Sequence, residues 1–427
     1  MSNESIQVFK FGGASVKDAT AVRNVATIIR QFEKDSNLLV VISAMGKTTN
    51  ALELIVNTYI EHGDYDQLFT TLWDFHSAIC NELFEDKTSI ENELKEVFDE
   101  MRILLKSNSD RDYNFVYDQI VSQGEILSTK IVAAYLNSIQ VNTVYKDARS
   151  MIRTDNTYRE GKLNWNITEY LIQENIRPIF EKKSSKIVLT QGFIAKTAEG
   201  ASVTLGREGS DYTAAIFAYA LEAQRVVIWK DVPGVLNADP KYFSNTEIIE
   251  RLSYQDAIEL AYYGATVIHP KTIKPLQNKN IPLWVKSFVN PMNAGTEIRN
   301  EASDKIIPSF IFKVNQALIS VSPKDFSFIV EENLSVIFNL LAKYRIKTNL
   351  MQHSALSFQL CIDEDERKTQ ALLENLKEHF LVDYQSNLEL ITIKDYNQET
   401  INRALINKKI VVEQRIARTA RFVVEVQ

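Results

Sequence analysis

Cysteine is nearly absent: Cys80 and Cys361 are the only two in 427 residues, and they lie far apart. That excludes a disulfide-stapled scaffold and a cysteine-built metal site, and it suits a reducing compartment. Long apolar runs are missing as well. The segment 38–45 is far too short to span a bilayer, and the polar start at 1–5 shows no signal-peptide pattern. No membrane association and a cytoplasmic location are therefore expected. Positive charge is not in surplus either. A net charge of −7 argues against a general nucleic-acid binder, so no nucleic-acid partner is expected. What remains is an ordinary globular composition in a chain long enough for two or three domains.

The first 300 residues alternate strand-like and helix-like runs, the pattern of a mostly parallel open sheet covered on both faces, an α/β arrangement. Strands are predicted at 6–11, 38–43, 141–145, 187–194, 225–229 and 282–286. Residues 50–114 form a charged helical insertion without strand signals, suited to a lid or a dimer surface. A polar segment follows, with 301–316 read as linker and strand. Beyond it the spacing over 317–393 gives a β-α-β-β-α-β unit. A shorter second copy, at 394–427, stops before its last helix.

Chemistry concentrates at strand ends. In Val8-Phe9-Lys10-Phe11-Gly12-Gly13-Ala14-Ser15-Val16-Lys17 a strand carrying one Lys breaks on paired glycines before a helical pattern (Ala19, Val22, Val25, Ile28, Ile29). Glycines there let backbone approach a ligand, a helix N-terminus offers free N–H groups, and a Lys adds a point charge suited to phosphate. An ordinary βα turn with a solvated Lys fits equally well. A Walker-type loop fails, since Val41 stands where Gly46-Lys47-Thr48 would need its earlier glycine. The loop Ser43–Thr49 follows an apolar strand, and its hydroxyls suit either a polar substrate or helix capping. Glu125, in Ser122-Gln123-Gly124-Glu125, lies off its helix's apolar stripe, although a first-turn Glu is also favoured by the helix dipole. The densest cluster is Thr204-Leu205-Gly206-Arg207-Glu208-Gly209-Ser210-Asp211-Tyr212-Thr213, where Arg207 suits a bidentate grip on a carboxylate and Asp211 either caps a helix or orients a Lys. Lys230 and Lys241 add cations near the same sheet edge.

Three blocks resemble the signatures of aspartate kinases: Lys10 to Val16, Gly206 to Asp211, and Trp229-Lys230-Asp231-Val232-Pro233-Gly234-Val235. Gly264-Ala265-Thr266-Val267-Ile268-His269-Pro270 resembles a fourth, and the tail is similar to that family's regulatory ACT repeats. The resemblance implies the amino acid kinase fold, a three-layer αβα sandwich over 1–300, followed by an α+β ACT-like region. It implies transfer of the ATP γ-phosphoryl group to the side-chain carboxylate of L-aspartate, the first step toward lysine, threonine and methionine. Lys10 and Asp211 would be catalytic. Ser43, Thr49, Glu125, Arg207 and Ser210 would bind substrate, and Lys10, Phe11, Gly12, Gly13, Lys230, Asp231 and Lys241 would bind ATP. Mg²⁺ is expected to arrive with the phosphates, with no dedicated protein metal site. A homodimer through the ACT-like region is implied too.

Departures from the family pattern are Ala14 for a hydroxyl residue, Lys241 for Arg, Thr266 for Lys and Glu208 for Gly. In the tail, Asn349 occupies the strand position from which relatives contact an effector. The turn before the first tail helix, however, reads Glu331-Glu332-Asn333-Leu334, without Gly and with two negative charges. Feedback inhibition by lysine or threonine is therefore expected to be weak or lost. The length leaves no room for a fused homoserine dehydrogenase. Acetylglutamate, glutamate and uridylate kinases share the fold, and an inactive amino-acid sensor is the alternative outside enzymes.

Overall fold

In Asn37-Leu38-Leu39-Val40-Val41-Ile42 all six residues are buried, with no polar alternation. Such a strand needs cover on both faces, the condition of an inner strand in a parallel sheet. A computed structural model describes residues 5–33, 36–107, 112–182, 185–243, 245–265, 268–301, 305–325 and 327–426. It divides the chain into two units. The first holds 1–235, 248–258 and 267–303, and the second holds 236–247, 259–266 and 304–427.

The first unit opens with β1 (Ile6–Phe11), α1 (Ala19–Phe32) and β2 (Asn37–Ile42). Five helices follow: α2 (Thr48–Ile60), α3 (Asp66–Leu83), α4 (Thr88–Ser107), α5 (Tyr113–Val121) and α6 (Gln123–Ser138). Next come β3 (Thr143–Tyr145), α7 (Trp165–Glu181), β4 (Ile187–Gln191), β5 (Ile194–Lys196), β6 (Ser202–Thr204), α8 (Gly209–Leu221) and β7 (Arg225–Lys230). The rest is β8 (Arg251–Ser253), α9 (Tyr254–Tyr263, whose last residues belong to the second unit), α10 (Pro270–Asn278), β9 (Leu283–Ser287) and β10 (Thr296–Arg299). The main sheet runs β3-β4-β2-β1-β7-β9-β10-β8, parallel from β3 through β9. The apolar spacing read for α1 is its buried face, and Asp18 caps its start by accepting from the Ala21 N–H at 2.8 Å.

Two sequence expectations change. The single strand read at 187–194 breaks after Gln191, because Phe193 takes a left-handed conformation (φ 69°) and Ile194 starts a separate β5–β6 hairpin. The helix behind Gly12-Gly13 does not begin there. Gly13–Val16 is a 3₁₀ turn, and α1 starts six residues after Gly13 with its own side-chain cap, so its N-terminus is not a free anion site. The insertion is a layer of helices around Phe69, Leu72, Leu94, Val97, Phe98 and Met101, all buried.

The second unit contains β11 (Ser309–Pro323), α11 (Glu331–Lys343), β12 (Thr348–His353), β13 (Phe358–Asp363), α12 (Glu366–His379), β14 (Phe380–Lys394), α13 (Gln398–Ala404), β15 (Ile410–Ile416) and β16 (Thr419–Glu425). One antiparallel sheet, ordered β12-β13-β11-β14-β16-β15, serves both copies of the tail motif. Gln316–Pro323 of β11 pairs with the first half of β14, while Ser309–Lys313 pairs with its second half, across register shifts between Lys313 and Leu318. The second copy thus receives its fourth strand from residues ahead of the first copy. Apolar residues on α11 and α12 bury Ala317, Ile319, Phe358 and Leu360, and α13 buries Phe310, Ile391, Ile393 and Phe422.

Candidate active site

β1, β2, β4 and β7 are adjacent and parallel, so their C-terminal ends share one edge of the first-unit sheet. Open parallel sheets bind ligands at such an edge. Lys10 is the next-to-last residue of β1 and is buried. Its Nζ sits 2.6 Å from Asp211 Oδ1, while Lys230 Nζ, from the end of β7, lies 3.6 Å from Asp211 Oδ2. Burial by itself would raise the Asp211 carboxyl. Lys10 first and Lys230 second outweigh it and hold the group below the usual carboxylate range. One carboxylate between two lysines leaves a net positive charge at the first turn of α8, the positive end of that helix dipole.

The backbone loops close tightly around this cluster. A Cβ on Gly13 would stand 2.8 Å from the Ala44 carbonyl oxygen, so only glycine lets the β1 loop meet the β2 loop. The two are tied by Gly46 N–H to the Gly13 carbonyl (3.1 Å) and Ser43 N–H to the Phe11 carbonyl (3.1 Å). Ser43 and Thr49 are half-buried along that second loop. Glu125, in the first turn of α6, is enclosed rather than solvated. Its Oε1 accepts a long 3.4 Å bond from the Ala44 N–H, and Oε2 is buried without a partner. Burial pushes its carboxyl up to about 8. The sequence favoured a dipole-stabilised carboxylate, but desolvation dominates at this site.

Arg207 is exposed and makes no ion pair among the described residues. It lies between Gly206 (φ 75°) and Glu208 (φ 54°), both left-handed, which explains why glycine is at home in this turn and Glu is strained there. Ser210 is buried behind Arg207, where a Cβ on Gly192 would come within 2.5 Å of the Ser210 Cβ. Gly12 lies directly under the Lys10 amine, 3.3 Å from its would-be Cβ. Ala14 is exposed in the 3₁₀ turn and Asp231 is exposed after β7.

The other predicted residues divide between the two units. The Phe11 side chain is fully buried and stacked on Trp229 (centroids 5.9 Å apart, planes 3° apart), so it anchors the strand and cannot face a nucleotide. Lys241 is exposed in the second unit's 236–247 segment. Asn349 is also in the second unit, and its amide is fully engaged. Oδ1 accepts from Lys313 Nζ (2.8 Å), and Nδ2 donates to Gln316 (2.7 Å) and Asp363 (2.8 Å). Thr266 lies outside the described residues.

Three buried polar residues escaped the sequence reading. Gln191 accepts from the Ala148 N–H (2.7 Å) and donates to Thr129, whose hydroxyl bonds the Glu125 carbonyl. His76 from α3 meets the Thr48 hydroxyl at 3.4 Å, and burial lowers its pKa to about 4. Asp118 sits on α5. Asp118 and Gln191 are polar residues beside apolar runs, which is a detectable signal, but their partners lie dozens of positions away.

The amino acid kinase family profile matches residues 5–287. The lysine-sensitive aspartokinase 3 of Escherichia coli K12 is 30% identical over 401 residues, covering 91% of this chain and 86% of that protein. The structure of E. coli aspartokinase III with aspartate and ADP superposes with a TM-score of 0.82 at 27% identity, covering 98% of this chain and 96% of that one. The complex of the same enzyme with lysine and aspartate gives 0.81, at the same identity and coverage.

Proposed function

Because this chain belongs to the amino acid kinase family, on its aspartokinase branch, we infer that it phosphorylates the side-chain carboxylate of L-aspartate with ATP, giving 4-phospho-L-aspartate and ADP. The observation that carries the reading is the cluster of buried Lys10 and Asp211 with half-buried Lys230 at the start of α8, with Glu125 enclosed at the same edge. An aspartate side chain is ionised at neutral pH, so its oxygen attacks the γ-phosphorus without a general base. The bond from phosphorus to the β,γ-bridging oxygen breaks, and ADP leaves with the electron pair. The difficulty is bringing one anion against another, which positioned cations solve. Lys10 neutralises the transferring group, Asp211 fixes that ammonium, and Lys230 faces the nucleotide phosphates.

Arg207 grips the substrate's α-carboxylate, and Glu125 pairs its α-ammonium. Glu125 is largely protonated in the empty site near neutral pH, and the incoming ammonium provides the charge that ionises it. Ser43, Thr49 and Ser210 supply neutral contacts. Mg²⁺ would come with the nucleotide and reduce the charge of its phosphates. The Asp211 carboxylate is paired with Lys10 and Lys230, so the ion would be carried by the phosphates rather than by a protein cage. The tail serves dimerisation, the enzyme acts in the cytoplasm, and no described helix is long and apolar enough to cross a membrane.

The test is an ATP- and Mg²⁺-dependent hydroxamate assay, since hydroxylamine traps acyl phosphates. We expect signal with L-aspartate, none with L-glutamate, and a loss on the order of 10³-fold in Lys10→Ala. No aspartate-dependent signal from folded protein would overturn the kinase reading in favour of an inactive amino-acid sensor.

A further inference from the structure

Asp118 is fully buried, and its hydrogen-bond partners among the described residues, Arg159 and Thr204, are not residues assigned to substrate or nucleotide. Its Oδ2 accepts from two backbone N–H groups, Arg159 at 2.8 Å and Thr204 at 3.0 Å, and its Oδ1 accepts from the Thr204 hydroxyl at 2.7 Å. The neighbouring Gln119 grips the same strand, donating to the Ser202 carbonyl (2.8 Å) and accepting from the Ser202 N–H (3.0 Å). Together the two side chains clamp β6 along one edge. What β6 leads into is Leu205-Gly206-Arg207. The second strand of contact, Arg159, presses on that turn directly: its carbonyl oxygen lies 3.2 Å from where a Cβ on Gly206 would be. Arg159 is itself held in a left-handed conformation (φ 69°), with its guanidinium 4.2 Å over the ring of Tyr117, the residue before Asp118.

The same helical path also carries Glu125. Ser122, between α5 and α6, has helical dihedrals (φ −59°, ψ −23°), so the two helices run on with little break. Asp118 and Glu125 are therefore about two turns apart on one rigid element. One buried carboxylate faces the β2 loop, and the other holds the base of the turn that bears Arg207. Burial pushes the Asp118 carboxyl up to about 6 against the pull of its three donors, so near neutral pH it stays mostly ionised and the three bonds it accepts are charge-assisted.

We propose that Asp118 is a positioning residue that ties the Arg207 turn to the Glu125 helix and so sets the spacing between the groups that receive the amino acid's carboxylate and ammonium. The proposal rests on the roles given above to Arg207 and Glu125. It implies that loosening this tie harms amino-acid binding selectively, because Lys10 and Lys230 come from β1 and β7.

The experiment measures KM for L-aspartate and for ATP separately in Asp118→Ala, Asp118→Asn and Thr204→Val, together with hydrogen exchange of peptides spanning 202–209. Asp118→Ala should raise the aspartate KM about tenfold or more and leave the ATP KM within about twofold. Asp118→Asn keeps an oxygen for the two N–H groups and gains an NH₂ that can donate to the Thr204 hydroxyl, so its aspartate KM should stay within about threefold of the parent. Exchange over 202–209 should quicken in the Ala variant and remain near parental in the Asn variant. An unchanged aspartate KM in Asp118→Ala, or equal rises for both substrates, overturns the proposal. If the Ala variant does not fold, Thr204→Val decides: it removes one bond at constant shape and should raise the aspartate KM by roughly threefold, and no change would refute the idea. Should the parent protein lack aspartate kinase activity, the kinase reading fails by itself. The exchange data then still judge the tether, which falls if 202–209 exchange alike in all variants.

Discussion

Replacing Glu125 with Gln should make the protein more stable and less active at once, and the structure says by how much. The carboxyl is buried, lacks a partner on Oε2, and is driven from 4.5 up to about 8 by desolvation. A raised carboxyl means the folded state holds its proton where the unfolded chain has released it. The cost to folding is absent below about pH 4.5, grows as pH rises, and levels off above about pH 8. At about 1.4 kcal/mol per pH unit it reaches roughly 3 kcal/mol at pH 7 and roughly 5 kcal/mol above pH 8. Gln has no charge to lose and keeps an oxygen for the Ala44 N–H, so we expect Glu125→Gln to recover about 2–3 kcal/mol at pH 7 and almost nothing at pH 4.5. All four tryptophans (Trp73, Trp165, Trp229 and Trp284) lie in the first unit, so the thermal shift in tryptophan fluorescence reports that unit alone. A Tm gain of several degrees at pH 7.5 that shrinks toward pH 5 is the expected result. Alongside it, kcat/KM for aspartate should fall by about 10²-fold or more, since the ammonium loses its counter-charge. A lower Tm at pH 7.5, or a shift independent of pH, would refute the reasoning.

Two further outcomes are expected. Glu208→Gly should raise thermal stability by about 0.5–1 kcal/mol, because φ 54° suits glycine and the buried Glu208 Oε2 has no partner, whereas Glu208→Ala should gain less since it keeps the strained φ. Lysine or threonine at low millimolar concentration should inhibit less than about tenfold, given the engaged amide of Asn349 and the acidic first turn of α11. Stronger inhibition of the hydroxamate assay by either amino acid would show that the network around Asn349 opens to admit an effector.

The architecture was legible wherever a periodic pattern determines the element. Fully apolar strands such as β2 and the stripe on α1 depend on their own residues, and the parallel sheet follows from their alternation with helices. Legibility ended where the decisive geometry is a single backbone torsion or a distant partner. Nothing local in 187–194 announces the left-handed Phe193 that splits that run in two. Nor does local pattern show that Ser309–Lys313 completes a sheet begun some eighty residues later, since antiparallel pairing over such a separation leaves no periodic trace.

The site divides along the same line. Lys10, Asp211 and Lys230 could be picked out because charged residues at the ends of apolar strands and helices are locally conspicuous. That one carboxylate would stand between both ammonium groups is a fact of the sheet, in which β1 and β7 are neighbours although more than two hundred residues separate them. The Phe11 side chain shows the converse. It sits inside a motif that reads as nucleotide-facing, but strand alternation turns its side chain to the opposite face from Lys10, onto Trp229. The period of two that turns Lys10 toward Asp211 sends Phe11 to the other face. Residue identity in a motif therefore says less about ligand contact than the parity of its position on the strand, and the same reasoning bears on Asp118. On α5 it faces inward with Val116, Tyr117, Ile120 and Val121, all buried, where a carboxylate is tolerated only if the chain brings donors to it. Three donors, one from Arg159 and two from Thr204 at the end of β6, meet that requirement, and those two segments frame the Arg207 turn.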